Sequence, residues 1–167
     1  WNTEAILQRD GGVPVRCKSG HAFMKECMRN NDVLYGGEMS AHHYFRDFSC
    51  CDSGMIPWLL VTELMCRSGK KLSELVGERV AMYPCSGEIN RKVADSAAVL
   101  AELGKKYADG EQDYLDGLSV AYDNWRFNVR VSNTEPVMRL NVETKGDKEL
   151  LAAKTAELLE VIGGEEA

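Results

Sequence analysis

At 167 residues, with 44% hydrophobic and 8% aromatic content, the chain can fill one ordinary core or two small ones. A formal net charge of −6 excludes a general nucleic-acid partner, which would need a basic face. The longest apolar stretch, 55–66, is broken by Pro57, Thr62 and Glu63 and falls well short of the roughly 20 residues of a membrane span, so no membrane partner is expected. The start, Trp1-Asn2-Thr3-Glu4, lacks the basic residues and apolar run of a secretion signal. Cysteines 17, 27, 50, 51, 66 and 85 form no CxxC pair and no secreted-domain spacing, which suits free thiols in the cytoplasm. Cys66 falls at a helical core spacing. A zinc site built from His42, His43, Asp47 and Cys50 would match none of the usual ligand spacings, and no metal site is expected.

In chain order, the pattern predicts a helix over 3–10, a strand over 13–18, a helix over 21–30, a strand over 33–37 and a helix over 52–68. This is an α/β rhythm punctuated by Gly11-Gly12 and Gly36-Gly37, with Asp52 as the expected N-cap of the long helix. A βαβ unit opens with a strand and this chain with a helix, so a first strand upstream is expected. The turn-prone run Met82-Tyr83-Pro84-Cys85-Ser86-Gly87 marks the boundary between a domain over 1–80 and a second over 81–167. Beyond it come a strand over 88–93, a helix over 95–107, strands over 115–122, 126–131 and 137–143, and a helix from Asp147. That order, β-α-β-β-β-α, implies an antiparallel sheet covered on one face by helices. The fold class is therefore α/β plus α+β.

Three groups of residues carry chemistry. Residues 130–136, Arg-Val-Ser-Asn-Thr-Glu-Pro, join two alternating strands that put Phe127, Val129 and Val131 on one face and Met138, Leu140 and Val142 on the other's. A phosphate wants a planar guanidinium, short hydroxyls and backbone N–H groups within one turn, and Arg130, Ser132, Asn133 and Thr134 supply that set. Gly37-Glu38-Met39-Ser40-Ala41-His42-His43 gathers a carboxylate, a hydroxyl and imidazoles after a strand; this suits vicinal sugar hydroxyls, or is a solvated strand-to-loop cap. Lys18 and His21 flank a helix start, where an anion is attracted, although a histidine there also serves as a simple cap.

Lys18-Ser19-Gly20-His21, Gly37-Glu38-Met39-Ser40-Ala41-His42, Asp52-Ser53-Gly54 and residues 130–136, in this order, resemble the α-D-phosphohexomutase superfamily, and 35–60 is similar to the bacterial phosphomannomutases that feed GDP-mannose synthesis. The resemblance covers essentially the whole chain, as most of a third domain plus a fourth. It implies interconversion of hexose 1-phosphate and hexose 6-phosphate of the mannose or glucose series, with hexose 1,6-bisphosphate as intermediate and activator. A phosphoserine and Mg2+ would lie on the N-terminal domains of the intact chain, outside this sequence, leaving these residues as a substrate-binding half. It further implies that Glu38, Ser40 and His42 contact the sugar, that His21 is a cleft residue near the reacting phosphate, and that Arg130, Ser132, Asn133 and Thr134 hold the other phosphate. Ala41 stands where many members have glycine. The alternative is a non-catalytic sugar-phosphate binding module.

Overall fold

The computed structural model describes residues 1–132 and 135–167. By internal contacts they form two units, Pro14–Val76 on one side and Trp1–Val13 with Gly77–Ala167 on the other. No described helix is long and apolar enough to cross a membrane. The segment Trp1–Val13 holds α1 (Asn2–Arg9).

The unit Pro14–Val76 is built on α2 (His21–Asn30), β1 (Tyr35–Gly37), β2 (His43–Phe45), β3 (Cys51–Asp52) and α3 (Met55–Ser68). The three strands form an antiparallel meander in the order β1-β2-β3. Met24 and Met28, one helical turn apart on α2, are buried with Tyr44 and Cys50 in a small core. Gly36 makes this packing possible, because a Cβ there would stand 2.8 Å from the Met24 sulfur and 3.1 Å from that of Met28.

Several expectations are corrected in this unit. Residues 13–18 form no strand: Pro14 has no N–H to donate to a ladder, and Val13 and Val15 are exposed. Asp52 is not the cap of α3, whose N-cap is Gly54; the Ser53 hydroxyl accepts from the Ile56 N–H at 3.3 Å instead. Cys66 is exposed. So are Trp58, Leu60 and Leu64 on the same helix, and α3 has no buried residue among those described.

The helix α4 (Leu72–Met82) crosses the division between the units. It is followed by β4 (Ile89–Lys92), α5 (Ser96–Lys106), β5 (Glu111–Asp113), β6 (Leu118–Ala121), β7 (Trp125–Val131), β8 (Met138–Thr144), α6 (Lys148–Ile162) and β9 (Glu165–Glu166). The six strands lie in the order β5-β6-β7-β8-β4-β9, antiparallel at every pairing. Strict alternation on β7 and β8 buries Trp125, Phe127, Val129, Met138, Leu140 and Val142 on one face, against Leu103 of α5 and Leu158 and Ile162 of α6. The helices therefore cover one face, as the pattern implied. Val131 departs from the expected stripe: at the strand end it is exposed. Both helices begin on an aspartate whose carboxylate accepts a backbone N–H, Asp95 from Ala98 and Asp147 from Leu150. The strands β5 and β9 were not expected; they are two or three residues long and polar, too short for an alternation to show.

Candidate functional site

In the unit Pro14–Val76, β1 and β2 end at the pair Gly37 and His43, and the turn between them is closed by Glu38 N–H to His42 C=O (2.9 Å) and Ala41 N–H to Glu38 C=O (3.1 Å). Ala41 adopts φ +65, the left-handed region that favours glycine and that costs a Cβ-bearing residue about 1–2 kcal/mol. The Glu38 carboxylate folds back to the start of α2. Its Oε1 accepts the Gly20 N–H at 2.6 Å and its Oε2 accepts the Tyr44 hydroxyl at 3.1 Å. Glu38 is thus an anion that meets the positive end of α2, and Lys18 lies beside the same first turn, its ammonium 5.8 Å from the centre of the Phe23 ring.

His21, the first residue of α2, meets His42 edge-on at 4.7 Å between ring centres and Tyr44 at 5.2 Å. One donor atom from each of His21, Glu38 and His42 comes within 4.8 Å of the others. Of the residues that the sequence singled out here, these three converge, while Ser40 sits exposed in the adjoining turn. His42 and His43 diverge: His42 Nδ1 meets Asp52 Oδ2 at 2.7 Å and His43 Nδ1 meets the Tyr35 hydroxyl at 2.7 Å. Asp52, also accepting the His43 N–H at 2.9 Å, is held below its ordinary carboxylate value, first by His42 and then by that backbone N–H. Burial pushes the Tyr44 phenol well above its ordinary value, and the Glu38 charge adds to it, so it stays a hydroxyl donor. Two imidazoles among three donors do not fit Mg2+, which takes six oxygen ligands.

In the other unit, the β7–β8 hairpin places Arg130 directly across from Arg139. Glu88 lies between them, 3.5 Å from Arg130 and 3.4 Å from Arg139, and Glu135 takes a second Arg139 contact at 2.7 Å. Arg139 was missed by sequence reasoning; only the strand register puts it beside Arg130. Its Nε is buried without an acceptor among the described residues, a donor that suits an oxyanion. Ser132 is buried, its N–H donating to Val137 C=O at 2.9 Å and its Oγ accepting the Glu135 N–H at 3.2 Å. Asn133 and Thr134 lie outside the described residues. The two guanidinia face two carboxylates, so any oxyanion arriving there would have to compete with Glu88 and Glu135 for their donors.

Residues 1–83 match the family model for phosphoglucomutase/phosphomannomutase, alpha/beta/alpha domain III, and residues 88–161 match that family's C-terminal domain. The chain is 57% identical over 164 residues to a phosphomannomutase of Salmonella montevideo, which covers 97% of this chain and 36% of the relative. It is 55% identical over 166 residues to a protein named phosphohexose mutases from Xanthomonas campestris, covering 98% of this chain and 37% of the relative. The chain thus spans little more than a third of the length of these curated relatives. The crystal structure of a phosphoglucomutase/phosphomannomutase family protein from Burkholderia thailandensis matches 99% of the chain, and 36% of its own, with a TM-score of 0.76 at 26% identity. On two adjoining family models, high identity and a shared fold, the chain belongs to the phosphoglucomutase/phosphomannomutase family, spanning its domain III and its C-terminal domain.

Proposed function

We propose that this chain is the substrate-holding part of a cytoplasmic phosphohexomutase that interconverts hexose 1-phosphate and hexose 6-phosphate, of the mannose or glucose series, through a bound hexose 1,6-bisphosphate. Residues 1–80 would act as the sugar-binding domain and 81–167 as the phosphate-binding domain. The observation that most supports the reading is the convergence of Glu38, His42 and His21, whose polar side-chain atoms come within 4.8 Å of one another. Each Glu38 oxygen already accepts one hydrogen bond and retains lone pairs for two vicinal hydroxyls. Ser40 and His42 add donors and acceptors for the same ring, with His21 at their edge toward the reacting phosphate.

Arg130, Ser132, Asn133 and Thr134, joined by Arg139, hold the phosphate that is not transferred. Its contact is a charge-assisted one that is indifferent to the hexose ring. The phosphoserine donor and Mg2+ belong to the parent's own N-terminal domains; when bound there, the ion neutralises charge on the moving phosphoryl group. The one cluster of metal-ligand side chains among the described residues, His21, Glu38 and His42, does not fit it, and the work of these residues is to bind and orient.

The test incubates the intact parent, and separately this chain, with mannose 1-phosphate or glucose 1-phosphate, a bisphosphate activator and magnesium, followed by phosphorus NMR. The parent is expected to form 6-phosphate from these sugars and the chain alone none above a Ser132→Ala control. Turnover by the chain alone would overturn the division of labour. Binding without turnover by the parent would leave a sugar-phosphate binding module.

A further inference from the structure

We infer that Asp52 is a positioning residue that fixes which nitrogen of His42 carries the proton, and so turns His42 Nε2 into an acceptor for a substrate hydroxyl. Only the identity of that hydroxyl rests on the sugar-phosphate reading above. The geometry begins with the carboxylate itself, which is anchored on both oxygens: Oδ1 by the His43 N–H at 2.9 Å and Oδ2 by His42 Nδ1 at 2.7 Å. The backbone on either side is paired as well, Tyr44 with Asp52 in the β2–β3 ladder and the Ser53 N–H with His43 C=O at 2.9 Å. An ionised carboxylate can only accept hydrogen bonds, so the group facing Oδ2 must donate and Nδ1 must bear the proton. In a neutral imidazole the lone pair is then on Nε2.

Among the described residues, the other titratable groups near His42 include His21, edge-on at 4.7 Å, Glu38, whose oxygens are engaged by Gly20 and Tyr44, Tyr44 itself, and His43, whose Nδ1 is engaged by Tyr35. None of these contacts supplies a hydrogen bond that would decide the tautomer. Asp52 does, and it comes from β3, whereas the imidazole stands in the turn that precedes β2. An asparagine at this position keeps an oxygen for the His43 N–H while its NH2 donates to Nδ1, which moves the imidazole proton to Nε2. The acceptor offered to substrate then becomes a donor with almost no change in shape.

The experiment reads the 15N shifts of His42 in this chain at a pH where the imidazole is neutral. The unsubstituted chain is expected to carry the proton on Nδ1, and Asp52→Asn to carry it on Nε2. In the intact parent, Asp52→Asn should lower kcat/KM for mannose 1-phosphate and glucose 1-phosphate by about one to two decades, the loss of one hydrogen bond to a substrate hydroxyl. In a His42→Gln background, Asp52→Asn should cost nothing further. A proton on Nε2 in the unsubstituted chain overturns the inference even if the variant fails to fold, and so does unchanged parent turnover. Failure of the unsubstituted parent to bind mannose 1-phosphate or glucose 1-phosphate would instead overturn the sugar-phosphate reading and leave the tautomer result standing.

Discussion

Gly117→Ala should disturb the strand that carries Arg130 more than any ordinary surface change. Gly117 precedes β6 with φ +74, and a Cβ there would run into Val129 C=O and stand 2.6 Å from Arg130 Cβ. These atoms belong to the β7 strand, whose pairing with β6 runs from Leu118 opposite Val129, so the obstacle cannot swing aside as a flexible side chain would. The left-handed φ costs alanine about 1–2 kcal/mol, and forcing extra atoms into a packed site adds about 1–3 kcal/mol. Gly87→Ala isolates the first of these contributions, because Gly87 has φ +71 and nothing described lies within 4 Å of its would-be Cβ. With a urea dependence of about 1–3 kcal/mol per molar, Gly117→Ala should unfold roughly 1 M earlier than Gly87→Ala. The signal is the fluorescence of buried Trp125, stacked on Tyr122 at 4.8 Å and read against the unsubstituted chain. Equal midpoints for the two variants would refute the argument that β7 is held this closely.

Leu140→Ala, at a fully buried position of the same sheet, should cost about 2–5 kcal/mol in urea unfolding. Arg130→Ala in the intact parent should lower kcat/KM for mannose and glucose substrates together by about one to two decades, the loss of one charge-assisted contact of about 1.5–3 kcal/mol; unchanged kinetics for both sugars would remove this loop from the active site. Glu38→Gln should reduce substrate binding in the parent while leaving the fold, since the amide still offers an acceptor to Gly20 and a donor to Tyr44; a melting point several degrees lower with normal kinetics would make Glu38 purely structural. Glu157, held by Lys154 Nζ and the Tyr107 hydroxyl at 2.8 Å each, has its carboxyl below the ordinary value of 4.5. A depressed folded value means that its stabilisation is present above the ordinary value and is lost as pH falls through the folded one, so Glu157→Gln should flatten the loss of stability on acidification below about pH 5.

Local signals in the sequence determined the long strands and every described helix but α4, over which no element was expected. Asp95 and Asp147 cap their helices with a side chain and an N–H three residues on, Met24 and Met28 share a face one turn apart, and β7 and β8 alternate at a period of two. Each of these involves neighbours within one turn or one strand, so the pattern is written where the structure forms. The same locality made Glu38, Ser40 and His42 legible as one polar turn. What depended on pairing between distant segments was not legible. Asp52 looks like a helix cap until β3 is laid against β2, and only then does its carboxylate meet His42. Arg139 looks like one more polar strand residue until the hairpin register sets it across from Arg130, with Glu88 between them. A one-residue slip of either ladder would send these side chains to the opposite face, which is why the tertiary structure alone decided the partners of the site residues that the sequence had already named.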